Sequence, residues 1–367
     1  MRHIPELDGL RGLAASMVVV FHWAPKYTFW GWGFVNCFFV LSGYLIGRII
    51  LEAVLDQRFS LRDFYMRRIL RIWPVYYLSL IAILVYHLAT RGSGFLEGPY
   101  FTDWLFSLFY LQFTQYYFMQ GVDPALALDF LPGMLPIWTV AAEEQFYLIL
   151  PLLMLWLVPR MKLNWLIVAC LLAALLGPTA RLSGFVSILL LTQIDGLMLG
   201  VALAAITTRN LRHHGTDGSR GLSLILAAAT LIGAAGIAPY IVRGYIVTPG
   251  PAELLGSPLL WTWTNLLFFG LIGLIVVNPG NRPSAFLRTR LFAYFGSISY
   301  ALYVFHMPLL YYVKPHVMAL FGPDLHWLGV IATLGVLIGT PHLSKVLVEK
   351  PILKFKDRFP NKRPAPT

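Results

Sequence analysis

Residues 257–278, SPLLWTWTNLLFFGLIGLIVVN, run for 22 positions without a charged side chain. As a helix rising 1.5 Å per residue, a stretch of this length covers the ~30 Å of a bilayer's hydrocarbon core. Lipid offers no partner to a backbone amide, so the run reads as a membrane helix, which satisfies its own amides, rather than as an isolated strand. The rest of the 367-residue chain repeats the pattern. Apolar residues make up 58% and charged ones 12%, and mean hydropathy is +0.69, too little polar material to coat a water-soluble globule. Apolar runs bounded by charge, proline or glycine fall near 9–25, 31–51, 72–89, 138–158, 163–177, 185–207, 221–242, 257–278, 292–313 and 326–349. The expected fold is all-α, a polytopic membrane protein with about ten transmembrane helices. Cys37 and Cys170 lie in apolar runs outside any CxxC or Cys/His spacing, so neither a disulfide nor a zinc site is expected.

A net charge of +11 would suggest nucleic acid in a soluble protein. In a membrane protein the placement of lysine and arginine reports topology instead, because retained cytoplasmic loops carry the positive excess. The stretch 104–119, WLFSLFYLQFTQYYFM, is short and aromatic and reads as interfacial or re-entrant. With the N-terminus in the cytoplasm and this stretch not crossing, 23 of the 28 basic residues fall in inside segments. The other five, Lys26, Arg91, Arg181, Arg243 and Lys314, fall one per outside loop. Letting 104–119 cross would export the loop bearing Arg209, Arg212 and Arg220 together with the basic tail. Both termini are therefore expected in the cytoplasm, and no nucleic acid is needed as a partner. The end of the chain, KPILKFKDRFPNKRPAPT (350–367), reads as a basic segment lying against anionic membrane lipid. The opening MRHIPELDGLRG lacks a cleavable signal pattern, so the first span is expected to stay. No repeat of 20 to 50 residues is visible.

Ionisable groups at membrane depth are costly and therefore informative. In LDGLRGLAASMVVVFHW (7–23), Arg11 and His22 are eleven residues apart, within ~20° of three full helical turns, which puts them on one face ~16 Å apart along the axis. Taken singly, the arginine is an ordinary positive-inside anchor and the histidine a hydrogen-bonded packing group; their shared face sets them apart. Glu143, in IWTVAAEEQFYLILP (137–151), opens a crossing that enters from outside, while His22 nears the outer end of its own. The two are expected at similar depth, with the carboxylate on one imidazole nitrogen raising the basicity of the other, as a general base requires. Glu144 points ~100° away from Glu143. Equally, both glutamates suit the N-terminal turn of their helix, where the dipole favours negative charge. Arg67, Arg68 and Arg71, in FYMRRILRIWPVYYL (64–78), stand at a cytoplasmic entrance, where guanidinium groups bind phosphates or simply flank a span. Asp195, near mid-membrane, requires a partner or a wet cavity. His306 and His342, each near a proline, are expected to pack. No HExxH, GxSxG, GxGxxG or P-loop pattern occurs, and no metal site is expected.

Taken in order, LDGLRGLAASMVVVFHW, FFVLSGYLIGR, FYMRRILRIWPVYYL, WTVAAEEQFYL, IDGLMLGVALA, GSISYALYVFHMPLL and VEKPIL resemble the acyltransferase family 3 membrane enzymes, over about residues 5 to 355. The resemblance implies a ten-helix bacterial inner-membrane enzyme moving an acyl group, usually acetyl, onto hydroxyls of glycans or other secondary products. It implies that His22 and Arg11 are essential, that Arg68 and Arg71 form the family's RxxR pair, and that Glu143 is its glutamate, with Thr139 standing where many relatives have serine. On this reading residues 1–355 are one membrane-embedded acyltransferase domain and 356–367 a basic cytoplasmic tail. Acyl-CoA, most commonly acetyl-CoA, is the expected donor, its phosphates held by Arg11, Arg68 and Arg71 and its arm threading along the Arg11–His22 face. His22 and Glu143 are the expected catalytic pair, acting by direct transfer or through an acyl-histidine. The acceptor is a cell-surface or secreted glycan or a similar metabolite. Segment 90–137, rich in aromatic residues, offers stacking surfaces for a sugar or an interfacial belt. A glycan or lipid-linked sugar transporter would also place charges in such a bundle, although it would commonly carry repeat symmetry; a silent scaffold is the third possibility.

Overall fold

The computed structural model describes residues 3–112, 131, 133–185, 188–216, 218–242 and 257–360. Among these residues there is no strand. The chain forms α1 (Pro5–Trp23), α2 (Phe34–Leu55), α3 (Leu61–Arg91), α4 (Pro99–Ser107), α5 (Trp138–Leu157), α6 (Leu163–Ala174), α7 (Leu176–Leu182) and α8 (Leu190–His214). It continues with α9 (Arg220–Val242), α10 (Pro258–Val277), α11 (Arg290–Pro308), α12 (Lys314–Phe321), α13 (His326–Ser344) and α14 (Lys350–Leu353). Each of the ten expected spans overlaps a helix among the described residues. Eight helical runs are long and apolar enough to cross a membrane by length and composition. The two outside that set, α1 and α11, carry Arg11, His22, Tyr303 and His306.

Local chemistry explains several boundaries. Pro5 starts α1 at a position whose N–H would have no helical partner anyway. Ser60 caps α3 by accepting from the Asp63 amide at 3.3 Å. At 31 residues α3 is ~46 Å long, more than the hydrocarbon needs, and Arg62, Arg67, Arg68 and Arg71 all lie toward its N-terminal end. After Pro308 the helix loosens into a π-helical stretch over Leu309–Val313, where the ring removes a backbone donor.

Three helix pairs form the closest contacts, α1 with α11, α2 with α8, and α9 with α10. Glycine makes them possible. A Cβ added to Gly43 would collide with the Leu197 carbonyl, and one on Gly200 with the Val40 carbonyl. On the first pair, a Cβ on Gly12 would strike the Gly296 amide and one on Gly296 the Asp8 carbonyl. Small residues at such crossings bring backbones together where lipid gives no hydrophobic drive for association.

Inter-helix contacts gather the basic segments onto one face of the bundle. The Gly280 amide donates to Glu6 at 2.9 Å, Arg212 pairs with Asp56 at 2.6 Å, and Arg209 donates to Asn164 at 3.1 Å. Within 104–119, the described part belongs to α4 and the turn after it. The nine residues of α4 reach only ~14 Å, too short to cross. Trp104 donates to the Leu80 carbonyl at 2.9 Å, which lays α4 against α3. Residues 113–130 lie outside the described residues, and with them the middle of the proposed sugar-stacking segment 90–137.

The mid-membrane acid has its partner. Arg181 of α7 meets Asp195 of α8 at 2.7 Å. The guanidinium also donates to the Pro258 carbonyl at 2.7 Å, to Thr262 Oγ1 at 2.6 Å and to the Thr192 carbonyl. One cation thereby ties α7, α8 and α10 together. Cys37 and Cys170 are buried free thiols.

Candidate active site

Arg11, Arg68, Arg71, Glu143, Glu144, Tyr147 and Ser42 line one cavity of about 250 Å³ at the basic end of the bundle. Arg71 stands one turn of α3 from Arg67 and Arg68, but only Arg68 and Arg71 face this space. Arg67 turns away, donating to the Phe359 carbonyl at 2.6 Å and the Lys356 carbonyl at 3.4 Å. It clasps the short 3₁₀ turn Lys354–Arg358 against α3, so the start of the predicted tail is docked; residues 361–367 lie outside the described set. Arg67→Ala is expected to free this clasp. Limited trypsin digestion should then cut at Lys354 and Lys356 faster than in the unaltered protein.

Inside the cavity, Tyr147 has one hydroxyl proton and gives it to Glu143 Oε2 at 2.8 Å. Ser42 must therefore donate to the Tyr147 oxygen, with which it is in contact. Arg11 and Arg68 are within electrostatic reach of Glu143. Arg68 Nε and Glu144 Oε1 are buried without hydrogen-bond partners among the described residues. Buried unsatisfied polar groups are rare, and these two face a space able to hold a polar ligand.

A second, smaller cavity of about 70 Å³ shares Arg11, Phe38, Val140, Glu143 and Tyr300 with the first and extends to Thr139, Ser299 and Tyr303. The Tyr303 hydroxyl accepts from Thr139 at 2.8 Å and donates to the Pro136 carbonyl at 2.9 Å. Beyond it, the Tyr303 ring stands 5.5 Å from the His306 ring, and His306 lies 4.9 Å from the His22 ring.

The structure therefore separates the two expected catalytic residues. The Thr139–Tyr303 bond pins the first turn of α5 about one turn of α11 below His306, so α5 begins inside the bundle rather than at the outer surface. Glu143 is four residues further along, ~6 Å deeper toward the basic end. It sits with Arg11, Tyr147 and Ser42, and the expected Glu143–His22 pairing is not formed. His22 meets His306 instead, with Nδ1 3.2 Å from His306 Nε2 and 2.9 Å from the Val18 carbonyl. His306, 1% exposed, also contacts the Tyr303 carbonyl through Nδ1 at 2.6 Å. Sequence reasoning gave His306 only a packing role. Its depth in the membrane was the available signal, but its partner lies 284 positions away. His342, also expected to pack, contacts the Tyr294 hydroxyl at 3.1 Å. No group of three or more metal-binding side chains forms among the described residues.

A polytopic helical membrane protein with a cationic inner cavity leading toward buried imidazoles is the class defined by fold and site. Residues 4–342 match the family model described as Acyltransferase domain, and the chain belongs to that family. The chain is similar to the O-acetyltransferase OatA of Staphylococcus aureus, 26% identical over 333 residues, covering 86% of this chain and 52% of the relative. It is also similar to the peptidoglycan O-acetyltransferase OatA of Listeria monocytogenes, 26% identical over 382 residues and covering 96% and 56%. A third relative is the putative peptidoglycan O-acetyltransferase YrhL of Bacillus subtilis, 27% identical with coverage of 96% and 55%. The chain spans about half the length of these relatives. No solved structure matches it.

Proposed function

We propose that this protein is an integral membrane O-acyltransferase of the bacterial cytoplasmic membrane, moving an acyl group, acetyl foremost, from cytoplasmic acyl-CoA to a hydroxyl of a surface glycan such as peptidoglycan. The observation that carries this reading is the pair of adjoining cavities that run from Arg68 and Arg71, past Arg11 and Glu143, to Tyr303 beside the imidazole pair. Arg68 and Arg71 hold the donor's phosphates at the inner mouth, where guanidinium forks suit phosphate oxygens. Glu143, bonded to Tyr147, offsets the buried charge of Arg11 and Arg68 and keeps their side chains in place. His22 acts as general base: it takes the acceptor's hydroxyl proton while the oxygen attacks the thioester carbonyl. The new C–O bond replaces the C–S bond, and the proton passes from His22 to the departing thiolate.

Purified protein in liposomes, supplied with labelled acetyl-CoA on one side and muropeptide on the other, tests the reading by release of free CoA and label on the glycan. Glycan counterflow without acyl consumption would overturn it in favour of a transporter. Arg68→Ala is expected to raise KM for acetyl-CoA roughly 10-fold or more, the scale of a lost charge-assisted hydrogen bond, whereas Arg67→Ala, whose guanidinium faces the tail, leaves that KM within about twofold. Steady-state kinetics on the reconstituted protein check both.

A further inference from the structure

Each imidazole of the His22–His306 pair lies against a backbone carbonyl. Carbonyl oxygens only accept hydrogen bonds, so a neutral ring in contact with one must carry its proton on the nitrogen that faces it. His306 Nδ1 faces the Tyr303 carbonyl at 2.6 Å and therefore bears the proton. That leaves His306 Nε2 as a bare lone pair. It points at His22 Nδ1, 3.2 Å away, which is protonated for the same reason, being 2.9 Å from the Val18 carbonyl. One assignment satisfies all three contacts. The His22 N–H is shared between Val18 and His306, and His22 Nε2 is left unprotonated, with no hydrogen-bond partner among the described residues.

From this geometry we infer that His306 is the positioning residue of His22, a neutral imidazole occupying the place that the sequence assigned to the Glu143 carboxylate. The inference rests on the reading of His22 as the base. The single acceptor orbital of His306 does two things there. It fixes the plane of the His22 ring so that Nε2 presents its lone pair, and it holds the Nδ1–H when Nε2 gains a proton and the ring becomes cationic. A carboxylate would do the second more strongly but would add a full negative charge to a site that lipid and packed side chains surround, a costly group to bury. A second histidine supplies the acceptor without that charge. The Tyr303 carbonyl in turn holds His306, and the Tyr303 hydroxyl is tied to Thr139 and Pro136, so the orientation of His22 is continuous with the start of α5. Phe21 closes the pair on one side, its ring 4.9 Å from His22.

The test uses two independent readouts on the full-length protein. In protein labelled with 15N-histidine, a nitrogen–nitrogen coupling across the shared proton is expected between His22 Nδ1 and His306 Nε2, and should vanish in His306→Phe. Its absence from the unaltered protein would overturn the pairing, whatever the activity. In transfer assays His306→Phe, which keeps a ring but has no acceptor, is expected to lower kcat about 10- to 100-fold, the range carried by partners that orient functional histidines, with KM for acetyl-CoA unchanged. His306→Gln, whose amide oxygen can accept from His22, is expected to recover part of the loss. Equal kcat in all three proteins, or a His306→Gln no better than His306→Phe, would overturn the positioning role. A His22→Ala protein that still transfers acyl groups at the unaltered rate would remove the base assignment and with it the positioning role of His306, while the coupling would still report the pair itself.

Discussion

His22→Ala is expected to lower kcat for acyl transfer about 10²- to 10⁴-fold, the usual contribution of a positioned acid–base group, with little change in KM for the donor. The two halves of that expectation have separate structural sources. The donor's phosphates are proposed to sit on Arg68 and Arg71 at the inner mouth, while His22 lies past Tyr303, beyond both the cavity those arginines line and the smaller one that adjoins it. Removing the imidazole leaves the mouth unaltered and takes away only the group proposed to receive the hydroxyl proton. Mass spectrometry of surface glycans from cells carrying the intact or the His22→Ala protein is the direct check. An acyl mass present with the first and missing with the second, at equal protein level, names both the donor group and the acceptor. An unchanged glycan would sink the catalytic assignment.

The largest stability effect is expected far from the chemistry. Arg181→Ala strands Asp195, whose side chain is 2% exposed, and removes the donors that Pro258, Thr192 and Thr262 share. Breaking a buried pair from one side costs about 3–5 kcal/mol, because the remaining charge stays desolvated. Thermal unfolding in detergent should show the loss. The double substitution Arg181→Met with Asp195→Leu is expected to regain most of it, since an apolar pair of similar volume leaves no orphan charge. A double variant as unstable as the single one would show that the clamp on the Pro258 and Thr192 carbonyls, rather than the charge pair, holds α7, α8 and α10 together.

The membrane helices were legible because their signal is local: 257–278 reads as a span with no knowledge of its neighbours, and α10 occupies Pro258–Val277. Asp195 was legible in the same way, as a group that must have a partner, although nothing in its own helix pointed to Arg181. Arg68 and Arg71 are visible in the sequence as part of a helical cluster, and the resemblance sets them apart from Arg67; the structural reason, the docking of Phe359 on Arg67, is a contact across 292 positions. The pairing of Glu143 with His22 failed for a specific reason. Counting residues from the membrane surface puts Glu143 at the depth of His22, but Trp138 starts α5 inside the bundle, its ring 5.7 Å from Phe39 and 6.1 Å from Trp261. Starting the count from that buried position puts Glu143 beside Arg11. His306 escaped because the relation between α1 and α11 is tertiary, set by the contact of Gly12 with Gly296.

That glycine contact also governs how the molecule can move. At the Gly12–Gly296 crossing the two backbones touch and no side chain lies between them to slide or change rotamer, so α1 and α11 are held as one unit there, with both imidazoles near its far end. On the proposed reading, a large acceptor approaching His22 would then be admitted by displacement of the elements around this pair rather than by parting its halves. A methyl wedge at Gly12 would act like a shim at the foot of a lever, spreading the tips ~15 Å away by more than the methyl's own width.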